Sequence, residues 1–203
     1  MLLLVGLGNP GLRYARQRHN VGFLALDAIA EAHGLGSWRS RFGGLASEGH
    51  IGSSRVLLLK PQTYMNRSGH SVAQAVGFHK LLPSDIVVFH DELDLAAGKV
   101  RIKTGGGVAG HNGLRSMAEQ LGTRDFRRVR IGIGHPGHKE RVLGHVLGDF
   151  SVEDRTWLGP LLDALVQATP LIAAGDDPGA MNKIAILTRP ADEPKPPARP
   201  GTS

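Results

Sequence analysis

The chain has 203 residues, 41% of them hydrophobic, with 24 Lys and Arg against 18 Asp and Glu and a formal net charge of +6. That length and apolar fraction suit one globular domain. The absence of cysteine excludes disulfides, thiol catalysis and Cys-ligated zinc, and 5% aromatic residues argue against a base-stacking platform. The positive surplus favours a polyanionic partner, nucleic acid ahead of membrane, because no long basic amphipathic helix stands out. The opening MLLLV is too short for a signal core and no run approaches transmembrane length, so a cytoplasmic protein is expected.

Leu2 to Leu7 is a continuous apolar run closed by Gly-Asn-Pro-Gly, a buried strand feeding a tight turn. Asn20 is placed to cap a helix through Ala32, with Phe23, Leu24, Ala28 and Ile29 at core spacing and Gly34 as its stop. Residues 37 to 50 are mixed and weakly strand-like. Arg55 to Leu59 reads as another buried strand, ended by Pro61, and residues 68 to 80 have helical spacing through Val72, Ala75, Val76 and His79. Pro83-Ser84 opens a strand over Asp85 to His90, a hairpin-like segment covers Gly98 to Lys103, and Asn112 to Leu121 is helical. Arg127 to Ile133 alternates basic and apolar, the pattern of a strand with one wet, positive face. Ser151 to Asp154 is a capping pattern for a final helix carrying Trp157, Leu161, Leu165 and Ile172 inward, interrupted by Pro160 and Pro170.

Strands alternating with helices predict an α/β fold: a single domain, residues 1–187, with a mixed, mostly parallel twisted sheet flanked by helices on both faces. From Thr188 to Ser203 the chain is Pro-rich and polar, the composition of a disordered tail. No apolar surface stripe calls for a partner copy, so a monomer is expected.

Gly6, Gly8 and Gly11 spell G-x-G-x-x-G, but a dinucleotide loop needs a helix opening at the turn and an acid at the end of a second strand. Here a weakly helical basic stretch follows, and Asp27 falls inside the first helix. The alternative is that these glycines bend the turn and set Asn9 at the carboxyl end of a strand, where α/β proteins bind ligands. His19, one of ten histidines, stands beside the helix-opening Asn20 and downstream of Arg13, Arg16 and Arg18, which either form a solvated face or attract a phosphate-bearing substrate.

Asp91 closes the buried strand ending in His90, well placed to orient a histidine. Asp91, Glu92 and Asp94 are equally compatible with an acidic turn, although neither a calcium ladder nor HExxH spacing is present. No Ser occupies a G-x-S-x-G elbow, so in a hydrolase the nucleophile would be water activated by a His–Asp pair. Asn9, Asn66 and Asn112 each lie in a Gly- or Pro-marked turn at the end of a predicted strand, and amides there can both donate to a carbonyl and accept from an amine.

The blocks GLGNPGLRYARQRHNVGF, KPQTYMNRSG, HDELDL, GGGVAGHNGLRS and RVRIGIGHP, in that order over residues 2 to 187, resemble the bacterial peptidyl-tRNA hydrolase family. The resemblance implies an esterase that cuts the bond between a peptide and the terminal ribose of tRNA, with no metal and no organic cofactor. By the same resemblance His19 activates water, Asp91 holds its imidazole, and Asn9 distinguishes peptidyl from free aminoacyl substrates. Tyr14, Tyr64, Asn66 and Asn112 contact the substrate's 3′ end or peptide backbone, and Lys103 and Arg130 grip acceptor-stem phosphate. Residues 105 to 110 would form a mobile lid, stiffened by Ala109 where the family often has glycine. A non-catalytic RNA-binding module is the rival reading; it needs the basic ribbon but not His19 with Asp91.

Overall fold

The computed structural model describes residues 1–190; within the expected tail, residues 191–203 lie outside that description. Strand β1 (Leu2–Gly6) is the axis of the fold. Leu3, Leu4 and Val5 are fully buried because both faces of the strand are covered, which is why its sequence is apolar without alternation. Beside it run β4 (Ser54–Pro61) and β5 (Ile86–Glu92), both parallel to it, and β5 pairs in parallel with β7 (Arg127–Gly132). Antiparallel strands close the two sides: β2 (Arg39–Arg41) and β3 (Gly44–Ile51) beyond β4, and β6 (Val100–Thr104) beyond β7. The seven-stranded order is β2-β3-β4-β1-β5-β7-β6. The expected α/β sheet is therefore present as a four-stranded parallel centre with antiparallel margins.

Helices lie on both faces. Leu4, Val87, Phe89 and Val129 pack with α1 (Val21–Ala32), α5 (Arg155–Ala174) and α6 (Asp177–Leu187), while Leu3, Val5 and Val88 pack with α2 (Ser68–His79) and α3 (Asn112–Leu121). Each fully buried Leu or Val contributes roughly 1.5–3 kcal/mol of transfer free energy. The buried stripe of α1 runs through Val21, Ala25, Leu26, Ile29 and Ala30, leaving the expected Leu24 and Ala28 at its margin.

Several local expectations are revised. Gly6 and Gly8 do not bend the turn, since neither has a positive φ. Instead, a Cβ on Gly6 would strike the carbonyl of Gly22 and one on Gly8 the ring of Phe23, so the glycines admit the start of α1 against the strand. Asn20 makes no capping bond to its own helix; its side chain goes to Asn9. The prolines of α5 do not interrupt it, because both face solvent, where a freed carbonyl is tolerated. The carbonyl released by Pro170, that of Val166, is bonded at 3.1 Å by Nε2 of His33, at the C-terminal cap of α1. The box at its start forms as expected, Ser151 N–H donating to Asp154 Oδ2 at 2.9 Å and Asp154 N–H to Ser151 Oγ at 3.1 Å. Helix α5 does reach the length and composition of a membrane span, contrary to the sequence expectation. Its stripe of Leu161, Leu165, Ala168 and Ile172 is nonetheless buried in the core.

The wet positive face expected of β7 is wet only in part, at Arg130. Arg127 pairs with Asp177 and donates to Ile172 O, Arg128 is 1% exposed, and Arg130 pairs with Glu92. Alternation identified the strand; it did not reveal that two layers cover it.

Candidate active site

The parallel strands β1, β4, β5 and β7 end on one edge of the sheet, and their following loops enclose a cleft of about 880 Å³. Asn9 arrives after β1, Tyr64, Met65 and Asn66 after β4, and Asp91 and Glu92 at the end of β5. His19 comes from a 3-10 turn (Arg18–Asn20) that leads into α1, where the close Gly6–Gly22 contact draws it towards β5. The loop 105–110 and the start of α3 form one wall. The other carries Val142, Leu143, Val146 and Leu147 on and beside α4 (Val142–Val146), an apolar wall the sequence reading missed.

At the floor, Asp91 is 4% exposed and serves two histidines. His19 Nδ1 donates to Asp91 Oδ2 at 2.8 Å and His111 Nε2 donates to Asp91 Oδ1 at 2.8 Å, with the two rings 4.9 Å apart. The tautomer of His111 follows from its other nitrogen: Nδ1 accepts the backbone N–H groups of Gly113 and Leu114 at 3.1 and 3.4 Å, capping α3. Its proton therefore sits on Nε2. His19 keeps 11% of its side chain exposed on the cleft, and Nδ1–H···Asp91 leaves Nε2 as the basic atom. Burial pulls the His19 pKa down, but the Asp91 charge and hydrogen bond outweigh it and the net shift is upward from 6.5. Burial likewise opposes ionisation of Asp91, yet the two histidines hold its carboxyl well below the usual carboxylate range. His90, fully buried beneath them, is pushed down to about 3 by burial and by His111, so it stays neutral and donates Nδ1–H to Asp91 O at 2.7 Å.

The ligating atoms of His19, Asp91 and His111 lie within 4.8 Å of one another, close enough to suggest a metal. The protonation pattern argues otherwise. A metal on His111 Nε2 would move the ring proton to Nδ1, facing two backbone N–H donors. The trio fits a hydrogen-bond chain better than a ligand set.

Asn9 is held at three points. Its backbone exchanges hydrogen bonds with the Asn20 side chain, N–H to Oδ1 and Nδ2 to the carbonyl, both at 2.9 Å. Its own Oδ1 accepts Met65 N–H at 2.8 Å, which leaves Nδ2 to donate into the cleft. Consecutive residues His19 and Asn20 thus set the base and the amide together. Higher in the cleft, Tyr64 is 61% exposed, Asn66 and Asn112 are exposed, and Lys103 and Arg130 line the same space. Arg130 Nε is engaged by Glu92 Oε2 at 2.9 Å. Tyr14 is not a lining residue: it stands edge-on to Tyr64 with centroids 6.4 Å apart, and Arg13 lies over its ring at 5.0 Å. Of the other two arginines near His19, Arg18 is spent on Asp154 at 2.6 Å and the exposed Arg16 lies 3.6 Å from Asp149.

His111 is the main residue that sequence reasoning missed, although the neighbouring Asn112 was singled out. The one available signal was a histidine directly before a helix of α3's pattern, a weak one, because histidine is not a preferred cap.

The family described as peptidyl-tRNA hydrolase matches residues 3–193. The chain is 59% identical over 188 residues to a peptidyl-tRNA hydrolase of Granulibacter bethesdensis, covering 93% of this chain and 97% of that one. It is 56% identical over 197 residues to one of Parvibaculum lavamentivorans, covering 97% and 96%. Its structure matches a crystal structure of peptidyl-tRNA hydrolase from Acinetobacter baumannii with a TM-score of 0.85 and 44% identity, over 91% of this chain and 94% of that one. Ordered blocks, fold and cleft converge, and the chain belongs to the peptidyl-tRNA hydrolase family.

Proposed function

We propose that the cleft is the active site and that His19 is its general base. The protein is an enzyme that hydrolyses the ester between a peptide and the terminal ribose of peptidyl-tRNA, as its family membership entails. The observation that carries the mechanism is the His19–Asp91–His111 chain: a buried carboxylate with both oxygens occupied, aiming one imidazole at open space. His19 Nε2 takes a proton from water, and the hydroxide adds to the ester carbonyl carbon. Asp91 stabilises the imidazolium through Nδ1–H without taking the proton. Asn9 Nδ2 donates to a carbonyl oxygen of the substrate, the one role its fixed amide orientation leaves. Collapse breaks the bond to the ribose oxygen, which recovers the proton from His19, releasing peptide acid and tRNA.

Tyr64, Asn66 and Asn112 meet the peptide or the 3′ end, with Tyr14 supporting Tyr64 from behind. Lys103 and Arg130 read acceptor-stem phosphate as charge, which suits a substrate whose base sequence varies. The enzyme acts as a cytoplasmic monomer without metal or organic cofactor.

The test is peptide release from an N-blocked aminoacyl-tRNA, wild type beside His19→Ala, with chelator present. The variant should lose roughly 10²–10⁴-fold in kcat while still binding tRNA. Near-normal turnover by the variant would remove His19 from the mechanism, and a wild-type enzyme silenced by chelator would reinstate a metal.

A further inference from the structure

Arg128 is among the largest fully buried side chains, and among the described residues it has no ion pair. Burying a guanidinium without a carboxylate is costly, so what its hydrogen bonds secure is informative. Nη1 donates to Gly107 O at 2.7 Å and Nη2 to Gly106 O at 3.0 Å, with a third bond to Arg124 O at 3.3 Å and the Phe126 ring 4.9 Å away. A planar fork across two successive carbonyls is a geometry that Arg supplies and Lys does not.

The carbonyls belong to the loop after β6, whose Gly105, Gly106, Ala109 and Gly110 all have positive φ, 69°, 93°, 47° and 75°. On its own such a loop has many conformations to lose. Lys103 lies across it: a Cβ on Gly106 would stand 2.8 Å from Lys103 Nζ, so the ammonium rests over the α-carbon of that glycine. Lys103 is also the register partner of Arg128 across β6 and β7.

We propose that Arg128 is a positioning residue for RNA binding: it holds Gly106 and Gly107 as the shelf on which the Lys103 ammonium is presented to a substrate phosphate. At 1% exposure it is too buried to grip RNA itself. The proposal rests on the reading of Lys103 as a phosphate contact. It predicts an effect on KM more than on kcat, because the His111 side chain beyond the loop has its own anchors in Asp91 and the α3 N–H groups.

The experiment is steady-state cleavage of N-blocked aminoacyl-tRNA over a salt series with Arg128→Lys, Gly106→Ala, Lys103→Ala and the two double variants carrying Lys103→Ala. Arg128→Lys and Gly106→Ala should each raise KM roughly tenfold, the loss of about one charge-assisted hydrogen bond, with kcat within about threefold of wild type. Each should lower the log–log salt slope by roughly 0.7 to 0.9, one phosphate contact, as Lys103→Ala does. Adding either to Lys103→Ala should cost nothing further. Unchanged KM in folded Arg128→Lys and Gly106→Ala, or losses that multiply with Lys103→Ala, would overturn the shelf while leaving Lys103 as a contact. If Arg128→Lys does not fold, Gly106→Ala and its double variant decide by the same readout. If Lys103→Ala itself leaves KM and slope unchanged, the phosphate reading falls and the shelf falls with it.

Discussion

The floor and the mouth of the cleft are built in opposite ways. At the floor, Asn9, His19 and Asp91 are each at most 8% exposed, and nearly every polar atom they carry has a partner. At the mouth, Tyr64, Asn66, Asn112 and Lys103 are exposed, and the one side-chain bond Asn112 makes among the described residues is a long one, 3.5 Å from Arg115 Nη1 to its Oδ1. Proton transfer needs atoms fixed to within tenths of an ångström in a dry setting where electrostatics are strong. Recognition of a variable peptide and of RNA phosphate is served by side chains that adjust at little cost. Substitutions at the floor should therefore lower kcat, and substitutions at the mouth should raise KM.

Asp91→Asn should have the largest effect after His19→Ala, a loss of roughly 10²–10⁴ in kcat, because His19 loses both its tautomer and its counter-charge. The pH profile sharpens this. Asp91 raises the His19 pKa against burial, so without the carboxylate only burial remains and the pKa falls below 6.5. The acid limb of kcat/KM, which marks loss of the neutral base, should then move to lower pH. An acid limb that stays in place would show that Asp91 does not set the basicity of His19.

His111→Asn comes next. Asparagine still caps a helix but is too short to reach Asp91 as His111 does, so the capping and orienting roles separate. Loss of about one charge-assisted bond to Asp91 predicts a kcat reduction of roughly tenfold with helix α3 retained. A variant with full kcat and a lowered Tm would make His111 a cap and nothing more. The smallest effects belong to the mouth: Asn66→Ala and Asn112→Ala should each raise KM only several-fold, about 1 kcal/mol for a partly solvated hydrogen bond, with kcat nearly unchanged. If either lowered kcat a hundredfold instead, the division between floor and mouth would fail.

Much of this arrangement is written locally. The apolar run of β1, the glycine-marked turn holding Asn9 and the strand carrying Asp91 near its end are patterns within a few residues, and each is recoverable because backbone sterics and burial act at that range. His19 and Asp91 were legible as a pair because parallel strands deliver their loops to one edge. What tertiary structure alone decided is which neighbours share those sites. Asn20 is a textually ordinary helix cap, yet its side chain clamps the Asn9 backbone 11 residues away because Gly6 and Gly22 let α1 pack so closely. Pro170 should break a helix, but His33, which caps α1 133 residues before Val166, satisfies the Val166 carbonyl. Arg128 belongs by alternation on a wet face and is instead roofed by a loop that no periodicity describes. The sequence by itself determined the elements and the sheet edge at which the cleft opens, and strand-end placement together with the motif resemblance put His19 beside Asp91 there. Folding determined the second histidine on that carboxylate and which arginines are paired or buried, because those contacts depend on packing between layers and leave no local pattern.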